Sequence, residues 1–168
     1  MALLGQGISI IAMLAIILSF QCKSNRKLAL VMGIGALLFA TSYFLLGQLS
    51  ATLFNIISFV CSIICMKENL KNKVVFGVIV ALYILATWIT YSDWWSVVLA
   101  AGQIAGSYSI MFGSGKFIRN MRFFFVSPVW IINNTVICFT IGGLICELIT
   151  MVSIIISFVR YRKTGFEK

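Results

Sequence analysis

One carboxylate stands inside an apolar run of this chain: Glu147, in the segment GGLICELITMVSIIISFVR that begins at Gly142. A charged side chain at mid-bilayer costs roughly 2.5–3.5 kcal/mol on insertion scales, so such a residue is by default a functional hypothesis. Glu147 follows Gly143 by four positions, about 6 Å below the outer end of its run at ~1.5 Å per residue. From there it either reaches the interface and caps a neighbouring helix, or faces an internal cavity and binds a solute or a proton. Sliding the chain by 92 positions sets Asn55 on Glu147, Ser42 on Asn134, Ser58 on Thr150, Ala51 on Gly143 and Lys27 on Arg119. Polar groups at matching positions of two units point to one shared axial cavity. Asn133 and Asn134 are helix neighbours pointing ~100° apart, so one of them faces an axis. Asn134 is preferred because its counterpart Ser42 is polar. Trp130 precedes Asn134 by one turn and offers a flat apolar wall. Pro128, the single proline, removes a backbone bond to residue 124 and kinks this segment. The expected substrate-binding set is therefore Ser42, Asn55, Trp130, Asn134 and Glu147. Against it stands the structural reading, in which asparagines hydrogen-bond helices together in lipid and the tryptophan is packing. Gln6 and Gln103 open the first run of each unit near an outer mouth, with Tyr108 further along, and Gly102-x-x-x-Gly106 is a small-residue face for close helix contact.

The elements that must hold these residues follow from composition. The chain of 168 residues is 61% hydrophobic and 10% charged, with a mean hydropathy of +1.08, far from soluble averages. A membrane span needs ~20 mostly apolar residues. Seven such runs read off in order: about Leu4–Phe20, Leu28–Leu46, Ala51–Met66, Val74–Thr90, Ser96–Phe112, Phe123–Phe139 and Gly143–Val159. They lack strand alternation and must be helices, giving an all-α polytopic membrane protein. The first run has neither a basic leader nor a small-residue cleavage site, so it is expected to be a retained span.

The 13 Lys and Arg fall after runs one (Lys23, Arg26, Lys27), three (Lys67, Lys71, Lys73) and five (Lys116, Arg119, Arg122), and in the tail (Arg160, Arg162, Lys163, Lys168). Alternate turns, Gly47–Ser50, Tyr91–Trp95 and Thr140–Gly143, carry none. The positive-inside rule then places the N-terminus outside and the C-terminus in the cytoplasm. The net charge of +9 is accounted for by this orientation and by anionic headgroups, not by nucleic acid. Histidine is absent, which removes the commonest general base and metal ligand. Glu68, Asp93 and Glu167 belong to loops or tail, leaving no carboxylate pair for catalysis. No phosphate-binding Gly-Lys-Ser/Thr loop is present. The chain is expected to be no enzyme, without catalytic residues, metal or cofactor. Cys22, Cys61, Cys65, Cys138 and Cys146 read as small membrane-embedded thiols.

The repeat divides the chain into residues 1–72 and 93–168, each of three spans, with a linker helix at 73–92. An odd number of spans per unit, separated by one linker span, makes the units parallel, with any substrate path along the axis between them. This 3+1+3 plan resembles the SWEET sugar-efflux family and its PQ-loop and nicotinamide-riboside transporter relatives. The whole length resembles more closely the small bacterial inner-membrane proteins of the YgjV family. That resemblance is carried by Gln6-Gly7-x-x-x-Ile11-Ala12, Ser19-Phe20-Gln21-Cys22-Lys23, Tyr43-Phe44-Leu45-Leu46-Gly47 with Asn55, Ser127-Pro128-x-Trp130-Ile131-Ile132-x-Asn134, and Gly142-Gly143-x-x-x-Glu147. The chain lacks the Pro-Gln pair and the early prolines of SWEET and PQ-loop proteins, so the resemblance implies the architecture but neither a sugar substrate nor a proline hinge. The family resemblance implies an inner-membrane location; the polar residues and the 3+1+3 plan together are read as a small transporter or facilitator of an uncharged or cationic small solute. The alternative is a non-transporting receptor or accessory protein on the same scaffold. The expected partners are a small-molecule substrate, the lipid bilayer and, as an open option, further copies in a homo-oligomer.

Overall fold

The computed structural model describes residues 2–92, 94–137, 141–162 and 165, so Asp93, Cys138, Thr140, Lys163, Glu167 and Lys168 lie outside the description. The described residues form seven helical segments and no strand, as expected where lipid-facing backbone must satisfy itself. They are α1 (Ala2–Phe20), α2 (Asn25–Leu45), α3 (Leu49–Ile64), α4 (Lys73–Ile89), α5 (Trp94–Phe112), a composite α6 over residues 115–137, and α7 (Ile141–Arg160), with a single 3-10 turn at Glu68–Leu70. Leu3–Phe20, Asn25–Leu45, Trp94–Phe112 and Gly143–Arg160 are long and apolar enough to cross a membrane, while Leu49–Ile64 and Lys73–Ile89 are shorter apolar helices. Large apolar side chains project outward; Trp88, for example, is 81% exposed. In water such a surface would aggregate, whereas in a bilayer it is the lipid-facing side.

Short connections end the helices by identifiable local chemistry. Gly47 adopts φ +76° after the α2 C-cap Leu46. Its N–H donates to the Phe44 carbonyl (3.1 Å), and the next N–H, from Gln48, reaches back to Tyr43 (2.8 Å). This paired closure of orphan carbonyls needs a left-handed residue, for which glycine carries no penalty. Asn72 caps α4 by accepting from the Val75 N–H at 2.9 Å, and Ser114 caps the start of α6.

The third basic loop is the main correction to the sequence reading. Gly113 and Ser114 alone separate α5 from α6; the residues from Gly115 to Arg122 are helical. Arg119 is fully buried, and Arg122 points inward as well. The sixth helix is therefore longer than its apolar run, and two of the thirteen basic side chains are structural members of it. Gly143 likewise lies within α7 and not in a turn.

Six helices close into a ring in the order α1, α2, α3, α5, α6, α7 and back to α1, and α4 lies against α3 and α5. Exchanging α1 with α5, α2 with α6 and α3 with α7 maps the neighbour pairs onto one another. In particular, the α1–α7 contact becomes the α5–α3 contact.

Candidate functional site

The sixth helix departs from regular geometry where its polar residues stand. It is α-helical over Gly115–Met121, π-helical over Arg122–Val126, α-helical over Ser127–Ile132 and π-helical again over Asn133–Ile137. Pro128 has no N–H to give, and the preceding Ser127 N–H bonds the Arg122 carbonyl five residues back. The proline thus acts through a widened turn on its N-terminal side. Such π-turns concentrate at functional sites, and here one begins at Arg122 while the other holds Asn133 and Asn134.

A cavity of about 70 Å³ lies between the helices of the ring. It is lined by Asn55, Ser58 and Ser62 from α3, by Gln103, Ser107 and Ser109 from α5, by Arg122, Trp130 and Asn134 from α6, by Glu147 from α7 and by Tyr43 from α2. Along α6 the lining runs from Ile118 to Asn134. Sixteen residues at ~1.5 Å each make about 24 Å, most of a ~30 Å hydrocarbon core.

Its wall holds an ion pair. Arg122 Nη2 donates to Glu147 Oε1 at 2.6 Å, with side-chain exposures of 15% and 7%. The sequence placed Arg122 in a loop and missed this partner. The signal that could have found it is Ser114, a capping residue followed by Gly115 through Arg122, which extends α6 by two turns. Arg122 then enters the helix interior, six residues before Pro128. The second Glu147 oxygen, Arg122 Nε, Ser127 Oγ and Thr150 Oγ1 are all buried without a hydrogen-bond partner.

Four of the five expected site residues line the cavity. Asn55 donates from Nδ2 to the Ala51 carbonyl of its own helix at 2.8 Å. Asn134 is 3% exposed, with the Tyr43 hydroxyl 3.5 Å from its Oδ1. Trp130 stacks on Tyr43 with ring centroids 6.0 Å apart and 22° between planes, and Tyr43 stacks on Phe39 at 5.9 Å. Ser42 does not join them. Its hydroxyl donates to the Gly5 carbonyl at 2.7 Å and ties α2 to α1. On the opposite wall Ser58 Oγ lies 2.8 Å from Tyr83 OH and donates to Gln103 Oε1 at 3.2 Å, and Tyr83 OH lies 3.1 Å from Ser107 Oγ. This cluster, which brings in α4 through Tyr83, was also missed. Gln103 faces the cavity, whereas Gln6 and Tyr108 are exposed.

A second polar group closes one end of the ring. Buried Arg119 donates to Ser157 Oγ (2.9 Å), Gly115 O (2.9 Å), Phe20 O (3.0 Å) and Cys22 O (2.8 Å). Beside it the Tyr161 hydroxyl donates to Gln21 O at 2.6 Å, and Gln21 Nε2 donates to the hydroxyl and carbonyl of Ser153. Its lysine counterpart, Lys27, is exposed. The thiols of Cys61, Cys65 and Cys146 are buried and unbridged, and no three His, Cys, Asp or Glu side chains gather among the described residues.

An all-helical membrane protein with a polar, ion-paired cavity inside its helix ring is what fold and site define together. The chain matches the family described as Imp-YgjV, bacterial inner membrane protein, over residues 3–165. It belongs to that family and is a membrane protein. No curated protein and no solved structure matches it.

Proposed function

We propose that this protein is a small-solute transporter or facilitator built on two parallel three-helix repeats, residues 1–72 and 93–168, joined by the linker helix at 73–92 in a SWEET-like plan. The observation that carries the proposal is the elongated cavity, lined by polar groups from both units and holding the Arg122–Glu147 pair. A passive scaffold gains nothing from burying an ion pair, because a hydrophobic replacement is often as stable or more so. The matching neighbour pattern of the two units supports an axial path, since rigid units on either side of a central site can rock against each other. The widened turns of α6 beside Pro128 give that motion a place to bend. The N-terminus is assigned to the outside and the C-terminus to the cytoplasm, on the basic residues gathered at the α1–α2 and α3–α4 connections.

The deciding experiment is uptake into proteoliposomes across sugars, nucleosides, amines and amino acids, repeated with the cavity blocked by Gly106→Trp. Protein-dependent flux that the blocked variant loses is the expected result; folded protein with no flux of any solute overturns the proposal. In that case the accessory reading gains, which the bonds of Ser42 and Ser58 to neighbouring helices favour. Single cysteines in a cysteine-free background check orientation: Gln48→Cys is expected to label from the periplasm, and Asn69→Cys only after the membrane is opened.

A further inference from the structure

The ion pair is half used. One oxygen of Glu147 takes one nitrogen of Arg122, while Glu147 Oε2 and Arg122 Nε have no partner although both are buried. Ser127 Oγ and Thr150 Oγ1 are buried and unpartnered as well, although neither residue lines the cavity. Buried polar atoms are seldom left so in native proteins, and a cluster of them calls for an occupant. The pair also sets the charge balance. Arg122 and Glu147 are the charged residues of the lining, so the wall carries one positive and one negative group and no net charge.

Helix packing does not demand these charges. At the counterpart positions, 92 residues earlier, stand Leu30 and Asn55. An uncharged polyol would be served by amides and hydroxyls such as Asn55, Gln103 and Asn134, without the ion pair. A lone cation would meet Arg122 beside its binding carboxylate, and a lone anion would meet Glu147, each uncompensated in a low-dielectric site. A solute carrying both charges on neighbouring atoms fits where neither does. Its carboxylate takes the free guanidinium edge and its ammonium takes Glu147 Oε2. Tyr43 and Trp130 form an apolar wall for the remainder, the mix of apolar surface and few oriented polar groups usual in solute sites.

We propose that the Arg122–Glu147 pair is the recognition site for a net-neutral zwitterion of the amino-acid class. This rests on the cavity being a solute site. The test is thermal unfolding of the purified full-length protein in detergent with each neutral proteinogenic amino acid in turn. Propionate serves as the single-anion probe, ethylamine as the single-cation probe and glucose as the uncharged one. At least one amino acid is expected to raise Tm, by about 5 °C at about a hundred times its Kd, while propionate, ethylamine and glucose leave it unmoved. Glu147→Gln and Arg122→Gln are each expected to weaken that response roughly tenfold or more. Glu147→Gln, with its guanidinium released, gains a response to propionate, and Arg122→Gln gains one to ethylamine. If either single variant fails to fold, Arg122→Gln/Glu147→Gln, which leaves no bare charge, replaces it and is expected to lose the amino-acid response. No response to any amino acid, an equal response to glucose or a single-charge probe, or an amino-acid response that survives in the variants overturns the assignment. Glucose flux in vesicles without amino-acid binding would remove the zwitterion and leave a transporter. Amino-acid binding without flux would do the reverse.

Discussion

The two contacts that join the halves of the ring, α1 against α7 and α3 against α5, occupy corresponding places and are held in opposite ways. Where α1 ends, Arg119 fastens its last carbonyls to α6 and α7, and Gln21, Ser153 and Tyr161 add four further hydrogen bonds. Where α5 ends, the corresponding place holds an open pocket lined by Asn25, Cys65, Lys71 and Gly113. Cys65 stands there 92 positions before Ser157, and Lys27 stays exposed instead of turning in as Arg119 does. At mid-depth the order reverses. The α3–α5 contact carries the bonded cluster of Ser58, Tyr83, Gln103 and Ser107, while the α7 side presents the half-satisfied Glu147 and an unpartnered Thr150. One seam is tight at the basic end and unsatisfied in the middle; the other is tight in the middle and open at that end.

The largest expected effect tests the tight end. Arg119→Met strips four hydrogen bonds from buried carbonyls and a buried hydroxyl, and is expected to destabilise the protein by about 3–5 kcal/mol in detergent unfolding. Lys27→Met, at the exposed counterpart, is expected to stay within ~0.5 kcal/mol. Equal losses at the two positions would erase the contrast between the seams. A smaller effect belongs to the middle. Arg122 makes one described ion-pair contact where Arg119 makes at least four hydrogen bonds, so Arg122→Gln is expected to lose about 2–4 kcal/mol by leaving Glu147 uncompensated. Adding Glu147→Gln is expected to restore most of it, and additivity of the two losses would show that the pair is not coupled.

The seven helices were legible because hydropathy dominates: six apolar runs became helices within a few residues of their expected ends, while α6 begins at Gly115, eight residues before its run. What misled was the assumption that basic residues beside a span face water. Lys116 and Arg119 look alike on that criterion, yet only a long planar guanidinium can bridge several helix-end carbonyls at once. Arg119 is used in that way. Arg122 was illegible for a different reason. Its partner lies 25 residues on, across a connection between two helices, at a depth that depends on how far α6 extends. Of the expected residues, Asn55, Asn134 and Glu147, marked by the internal offset, and Trp130, marked by its place one turn before Asn134, line the cavity. Ser42 satisfied the same offset but turned to a neighbouring helix, since a short hydroxyl reaches a close carbonyl before it reaches a cavity.

The smallest expected effect separates the two units at one methyl group. Gly143 and Ala51 are counterparts, and the methyl group of Ala51 is already accommodated, 5% exposed, on α3. On α7 the same methyl would stand 2.7 Å from the Asn134 side-chain amide. Either α7 must then retreat from α6, or Asn134 must swing away from Tyr43. Gly143→Ala is therefore expected to lose about 1–3 kcal/mol through overpacking, despite its gain in helix propensity of about 1 kcal/mol. Ala51→Gly is expected to lose about 1 kcal/mol from propensity alone. Placing Gly143→Ala on an Asn134→Ala background removes the colliding amide, so there the added methyl should become neutral or stabilising in the same unfolding measurement. If it remains equally harmful, the close approach of α6 and α7 is set by contacts other than the Gly143–Asn134 pair, and glycine at this position is not what lets Asn134 reach the cavity.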